Sequence, residues 1–499
     1  METRQLILSP AEARIMEQGF RVVRRSVDAR QRDIRVLLTV LADEHGNLLP
    51  REAEVPLYSK PVYPDVSGSA QEALVVGAGP AGLFAALTLL EHGIRPVIIE
   101  RGRDVSARKR DIARLNRNMG LDPSSNYCFG EGGAGTFSDG KLFSRSKKRG
   151  DMQRVMELFH FFGAPDTVLY ETHAHIGSDL LPNIIRSMRE CLCAHGAEFR
   201  FGTLFDRLDP SLPTVLAIGH SAHDTYRFLA QEGVAMEAKG CAMGVRVEHP
   251  QALVNRLMYH LGGRPSDEAA ALVENLGNAS YSLVTQVSGT GVYSFCMCPG
   301  GHIVPAASAP ETVIVNGMSA RLRNSPYANS GIVVSVPPAG PAMQALAWQE
   351  SLEHEAWLQA REVLGSSLQA QAPAQRLADF VEGRPSASLP ACSFLPGIVP
   401  SRLDRWLPPE IGAFLRRGFR DFDRKYPGFL TNDAVVLGVE SRTSSPVRLL
   451  RDPLTMQSLS HPFLYPCGEG AGYAGGITSS ALDGIKAALQ LCSRVQSSV

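Results

Sequence analysis

Three glycines in the spacing Gly77-x-Gly79-x-x-Gly82 stand between the apolar run Leu74-Val75-Val76 and a second run, Leu83-Phe84-Ala85-Ala86-Leu87. A strand, a glycine turn and a helix in that order hold the pyrophosphate of a dinucleotide. The first glycine makes the tight turn, the second lets the backbone approach the phosphates, and the third lets the helix pack on the strand. Free N–H groups at the helix start, around Pro80 and Ala81, and the positive end of the helix dipole face the anion. Glu100 ends the next apolar run, Pro96-Val97-Ile98-Ile99. It lies about 20 residues beyond the turn, where a carboxylate accepts the ribose hydroxyls and disfavours a 2′-phosphate. Arg101 follows it directly.

Other glycine-rich segments could serve the same ligand. The stretch Phe129 to Leu142 contains Gly132, Gly133, Gly135, Thr136 and Lys141, and its five glycines leave little side chain between backbone N–H groups and an anion. An apolar strand ends at Gly219 and is followed by His220. Near the C-terminus, Gly468, Glu469, Gly475, Gly476 and Ile477 stand between an apolar run and a helical pattern. These segments resemble the uncharacterised FAD-dependent dehydrogenase family of the glutathione-reductase-like flavoprotein superfamily. So do Val22 to Arg30, Cys296-Met297-Cys298 and Glu440 to Arg448, so that the resemblance covers most of the chain. It implies FAD as the cofactor, the 129–142 loop along it, Glu469 on the ribityl chain, and the last helix aimed at the pyrimidine side of the flavin. A positive helix end there stabilises negative charge on the reduced cofactor.

One departure stands out. Between Phe199-Arg200-Phe201 and Val215 only residues 202–214 remain, with Pro210 and Pro213 among them. The superfamily places a three-stranded meander here, and strands averaging about 5 to 6 residues do not fit in that length. The shortened segment is expected to weaken FAD retention or to open the cofactor to a partner.

Residues that could carry the chemistry are fewer. His220 is a candidate proton donor because imidazole titrates near neutrality, and His223 shares that reading; for both, hydrogen bonding within the loop is the plainer alternative. Cys467 precedes Gly468 and could face the flavin or be a small core residue. Cys298, in Cys296-x-Cys298, could belong to a redox or metal site, although C-x-C is tighter than the C-x-x-C of thioredoxin-like motifs and of most zinc pairs, and structural cysteines are the plainer reading. Arg442 and Arg448 could bind an anionic substrate or form structural ion pairs. His173 and His175 have no carboxylate or cysteine set beside them, so no metal is assigned. With one G-x-G-x-x-G in the chain, a dedicated nicotinamide domain is not supported, and NADH or NADPH would act as a transient electron donor.

These groups need elements to hold them. The run of 499 residues exceeds what one compact core usually occupies, and 44% hydrophobic with 20% charged residues is an ordinary globular composition. The pattern predicts a small N-terminal α/β domain over 1–66 and a Rossmann-type FAD-binding domain over 70–240 that is completed by 431–499. An inserted α+β substrate or cap domain, with a long helix near 343–364, occupies 241–430. Balanced charge, 50 basic against 50 acidic residues, gives no global attraction to nucleic acid, and no run is long and apolar enough for a membrane span. Nine scattered cysteines and the lack of a signal pattern suggest the cytoplasm. The expected activity is that of an FAD-dependent dehydrogenase or reductase transferring two electrons to or from an unnamed small molecule, with oligomeric state open. The alternatives are a flavin monooxygenase, or a non-catalytic flavin-binding or RNA-associated module suggested by Arg24, Arg25, Arg30, Arg32 and Arg35.

Overall fold

Continuous apolar strands joined by helices build a parallel sheet buried on both faces. In the computed structural model, which describes residues 1–143, 150–364 and 371–497, that sheet has five parallel strands. Their order is Leu464–Pro466, Thr214–Leu216, Glu72–Val76, Arg95–Glu100 and Glu198–Phe201. The fold is therefore mixed α/β, with a Rossmann-type sheet assembled from distant parts of the chain. Segments 144–149, 365–370 and 498–499 of the expected units lie outside the described residues.

The helix Pro80–Glu91 leaves the central strand with every residue from Ala81 to Leu90 buried. The last helix, Ile477–Ser497, lies along it. Glycine is required at two close approaches, one within the turn and one where the two helices cross. A Cβ on Gly82 would stand 1.8 Å from the Gly77 carbonyl oxygen, and one on Gly484 would stand 2.0 Å from that of Ala81. The third glycine of the motif thus closes the turn and does not face a ligand.

A second, seven-stranded sheet has the order Val284–Val287, Thr290–Cys298, Tyr327–Val336, Cys241–Pro250, Val435–Glu440, Ala372–Arg376, Ile398–Pro400. The amphipathic helix Pro409–Lys425 turns Ile411, Leu415, Phe419 and Phe422 onto one face, against Val245, Val247 and Val292. On the opposite face Arg246 donates to Glu440 at 2.7 Å, both fully buried. Glu440 belongs to the strand Val435–Glu440, so this sheet continues past the boundary expected at residue 430. An apolar run that pairs with Cys241–Pro250 in one register reads the same as one that returns to the first sheet. The expected long helix is present as Ala342–Leu364.

The leading segment forms a three-stranded antiparallel sheet, Glu2–Leu8, Arg35–Ala42, Val22–Asp28, with the helix Pro10–Gly19 capped by Ser9 and Glu12. Its basic run is largely answered by neighbouring acids. Arg25 pairs with Glu17, Arg30 with Asp28 and Arg35 with Asp33. Residues 202–213 contain no strand, as their length requires. No described helix is long and apolar enough to cross a membrane.

The close approach at Gly82 generates a direct test. Gly82→Ala forces two backbone segments apart and should lower the unfolding free energy by about 2 kcal/mol or more in urea denaturation. Gly262→Ala, where a Cβ meets nothing within 4 Å, should leave the midpoint nearly unchanged.

Candidate functional site

One cavity of about 1230 Å³ runs between the two large sheets. Backbone from far-apart segments lines it. Gly77, Gly79, Pro80 and Ala81 come from the first turn, Gly133 and Gly135 from the glycine loop, Gly219 from the strand end, and Gly468, Gly475, Gly476 and Ile477 from the closing segment. Glu100, Arg101, Lys141, His220, Cys467 and Glu469 line it too. The first two glycine segments touch backbone to backbone, since a Cβ on Gly133 would lie 3.0 Å from the Gly79 Cα. At Gly133, with its φ of +61°, a side chain is disfavoured by both strain and crowding, and glycine at both positions leaves peptide groups as the wall.

Two buried charges fix this arrangement. Glu100 Oε2 accepts from Ala78 N at 2.9 Å, while Oε1 accepts from Gly102 N at 2.9 Å and Gly130 N at 3.0 Å. Glu100 therefore ties the first turn, its own strand end and the glycine loop together. With three of about four acceptor positions used, one lone pair remains for a ribose hydroxyl. Arg108, fully buried, donates to the carbonyls of Asn126, Tyr127, Gly130 and Glu131 and to Thr136 Oγ1 at 2.8 to 3.2 Å. Burial lowers its pKa to about 10, opposed by the negative charge of Glu100, so it remains a cation at neutral pH. Nothing in the local sequence distinguishes Arg108 from the other basic residues of the helix Val105–Asn116. The signal lies in its distance from the glycine loop in space.

Several expected residues lie elsewhere. Thr136 accepts from Arg108 and donates to the Glu131 carbonyl, and neither it nor Gly132 lines the cavity. Gly132 is needed because a Cβ would stand 2.0 Å from Thr136 Oγ1. Gly82 is buried against the Gly77 carbonyl of the turn, and Cys298 lies behind the wall formed by Cys296, Met297 and Pro299. Cys467 does line the cavity but also packs in the core of the parallel sheet, where burial raises its thiol pKa and keeps it protonated.

His220 Nδ1 lies 2.9 Å from Glu469 Oε2 at the wall. His223 does not line the cavity; its Nδ1 meets Glu350 at 2.9 Å and burial lowers its pKa. Arg442 is a structural cation, held by Glu353 at 2.9 and 3.0 Å, whereas Arg448 pairs with Glu237 at 3.0 Å on a more exposed part of the wall. Arg101 pairs with Asp224. The closing segment is braced by a residue that sequence reasoning missed. Asp483 accepts from Gly468 N at 2.8 Å and from Arg451 at 2.8 and 2.9 Å. Thr478 donates to the Leu142 carbonyl at 2.7 Å, joining the start of the last helix to the glycine loop.

FAD fits these surroundings. The bare glycine backbone and Glu100 suit its phosphates and ribose, and the buried wall atoms Arg101 Nε and Thr443 Oγ1 have no hydrogen-bond partner among the described residues. Among the described residues, no group of three or more His, Cys, Asp or Glu side chains could hold a metal ion.

Known proteins share parts of this chain. Residues 240–443 match the family described as FAD-dependent protein, C-terminal domain-like, and residues 70–121 match the FAD binding domain family. A Clostridium beijerinckii protein described as uncharacterized is 38% identical, the match spanning 94% of this chain and 91% of that protein. Among solved structures, CtdE in complex with FAD is 10% identical with a TM-score of 0.27, over 85% of this chain and 84% of that one. The flavin-dependent halogenase CmlS is 11% identical with a TM-score of 0.34, over 86% and 58%.

The Arg108 clamp carries a stability prediction. Arg108→Met leaves the Asn126 and Tyr127 carbonyls without their donor, takes one of two donors from those of Gly130 and Glu131, and should cost about 3 to 5 kcal/mol in chemical denaturation. Arg108→Lys keeps the charge but loses the fork, and should recover only part of that loss.

Proposed function

The chain belongs to the same family of FAD-dependent proteins as its clostridial relative and is an FAD-dependent oxidoreductase, and on that premise we propose that it works as a dehydrogenase or reductase on a small molecule. The observation that carries this reading is the convergence of glycine backbone from 77–79, 133–135 and 475–476 on one cavity whose wall also holds the carboxylates of Glu100 and Glu469. When bound, FAD supplies reversible two-electron transfer.

The chain's own residues then divide the remaining work. Amide groups of the first turn and the start of the helix Pro80–Glu91 receive the pyrophosphate, with Glu100 on the adenosine ribose. Glu469 is assigned to the ribityl chain, and the start of the helix Ile477–Ser497 to the electron-rich edge of the flavin. Lys141, Arg101 and Gly219 complete the cofactor wall. The substrate enters against the side of the cavity formed by Phe295, Cys296 and Met297 of the seven-stranded sheet. His220, oriented by Glu469, moves the proton that accompanies electron transfer. NADH or NADPH is the proposed donor, bound transiently.

An absorbance spectrum with and without added FAD, followed by anaerobic titration with NADH and NADPH, tests the reading. A flavin band that bleaches with one donor is expected; product formed only with oxygen would favour a monooxygenase instead. His220→Asn should slow turnover about 100-fold while flavin is retained. Wild-type turnover in that variant would remove His220 from the proton step.

A further inference from the structure

Cys296 and Cys298 sit where the strand Thr290–Cys298 departs from regular pairing. In a regular strand, residues two apart stand about 6.7 Å from each other, at the upper end of the Cα separations that a disulfide spans. Here the register against Tyr327–Val336 shifts between Phe295 and Cys298, and Cys296 adopts a left-handed φ of +46°, rare for a side chain that is not glycine. The Arg246 guanidinium holds this kink by donating to the Cys296 carbonyl at 2.8 Å. Strain retained in this way, beside a cavity, is typical of a working position.

The surroundings of the two sulfurs are cationic. Lys141 Nζ is 3.8 Å from Cys298 Sγ, and Arg246 Nη2 is 4.0 Å from it. Asp139 and Glu440 are the nearby acids; Asp139 is already committed to Lys141 at 3.3 Å and to Arg323 at 2.5 Å, and Glu440 to Arg246 at 2.7 Å. A hydrogen bond from Cys298 lowers the Cys296 thiol to about 5; burial opposes the shift, and Lys141 and Arg246 reinforce it. The partner Cys298 is pushed up well above an ordinary thiol and keeps its proton. One nucleophilic thiolate beside one proton-bearing thiol is the arrangement that thiol–disulfide exchange requires. Cys296 lines the same cavity as the glycine segments, while Cys298 lies behind it as the resolving group.

We propose that Cys296 and Cys298 form a redox-active dithiol–disulfide pair that reduces a small-molecule disulfide entering the cavity. The Cys296 thiolate attacks one sulfur of the disulfide, whose S–S bond breaks and whose leaving thiolate takes up a proton. Cys298 loses its proton and attacks Cys296 in the mixed disulfide, forming the intramolecular S–S bond and releasing the second thiol. Two electrons pass from the cysteines to the substrate, with one proton from Cys298 and one from water. Returning the disulfide to one thiolate and one thiol takes two electrons and one proton, which bound reduced FAD would supply, a requirement that rests on the flavoprotein reading above.

The test is a glutathione redox series on the full chain, prepared with FAD and stripped of it. Iodoacetamide trapping and mass spectrometry then read the peptide carrying both cysteines. The pair should pass together from doubly alkylated to unalkylated and internally linked in both preparations. Cys298→Ser should trap Cys296 as a mixed disulfide with glutathione. Alkylation of reduced Cys296 should be half-maximal near pH 5, and Lys141→Met should move that point up by about one to three pH units. Independent alkylation of the two residues across the whole series, with no linked peptide in either preparation, would overturn the proposal. Flavin retention is read separately from the absorbance of the same samples, so failure of the cofactor reading and failure of the thiol pair give different results.

Discussion

A single carboxylate and a single guanidinium, both removed from water, hold the cofactor side of this protein together. Glu100 gathers amide groups from the first turn, its own strand end and the glycine loop, and Arg108 gathers two carbonyls of that loop and two of the segment leading into it. Burying such charges costs several kcal/mol each, and charge-assisted hydrogen bonds of about 1.5 to 3 kcal/mol offset it only because nearly every donor and acceptor position is used. The result is positional. A loop too rich in glycine to hold its own shape is fixed against the turn at Gly79 with its backbone bare.

The closing segment is positioned by the same physical device. Asp483, on the last helix, accepts from Gly468 N while pairing with Arg451, and Arg451 in turn donates to the Pro466 carbonyl and lies 3.7 Å over the Tyr473 ring. The start of that helix is tied to the glycine loop through Thr478. Buried charges therefore brace both the glycine loop and the closing segment, and the Arg246–Glu440 pair anchors the facing sheet. Each links segments separated in sequence, which suits a site assembled from a discontinuous chain.

Much of this was legible in the residues. The glycine turn, the acid at Glu100, the strands around it and the closing helix follow from apolar periodicity and from what glycine permits. The role of Glu100 was legible only in part, because its acceptors serve backbone amides as well as leaving room for a ribose. Gly82, Gly132 and Thr136 belong to motifs that face a ligand, yet each is used for packing or for shaping the loop. Residues that act across sequence distance were invisible. Arg108 sits among six other basic residues from 101 to 117, and Asp483 sits on an ordinary helix. The boundary near 430 was misplaced for a similar reason, since strand pairing with Cys241–Pro250 is a tertiary fact. The thiol pair was visible as C-x-C, but its kink and its cationic neighbours come from Lys141 and Arg246, on other elements.

Hydrogen exchange of the full chain with and without FAD tests the central claim most directly, because three distant glycine segments are held to form one cofactor wall. The account predicts that amides at 77–82, 132–136 and 475–480 slow together when FAD binds, in proportion to flavin occupancy. Flavin bound at full occupancy with unchanged exchange in those segments would contradict it.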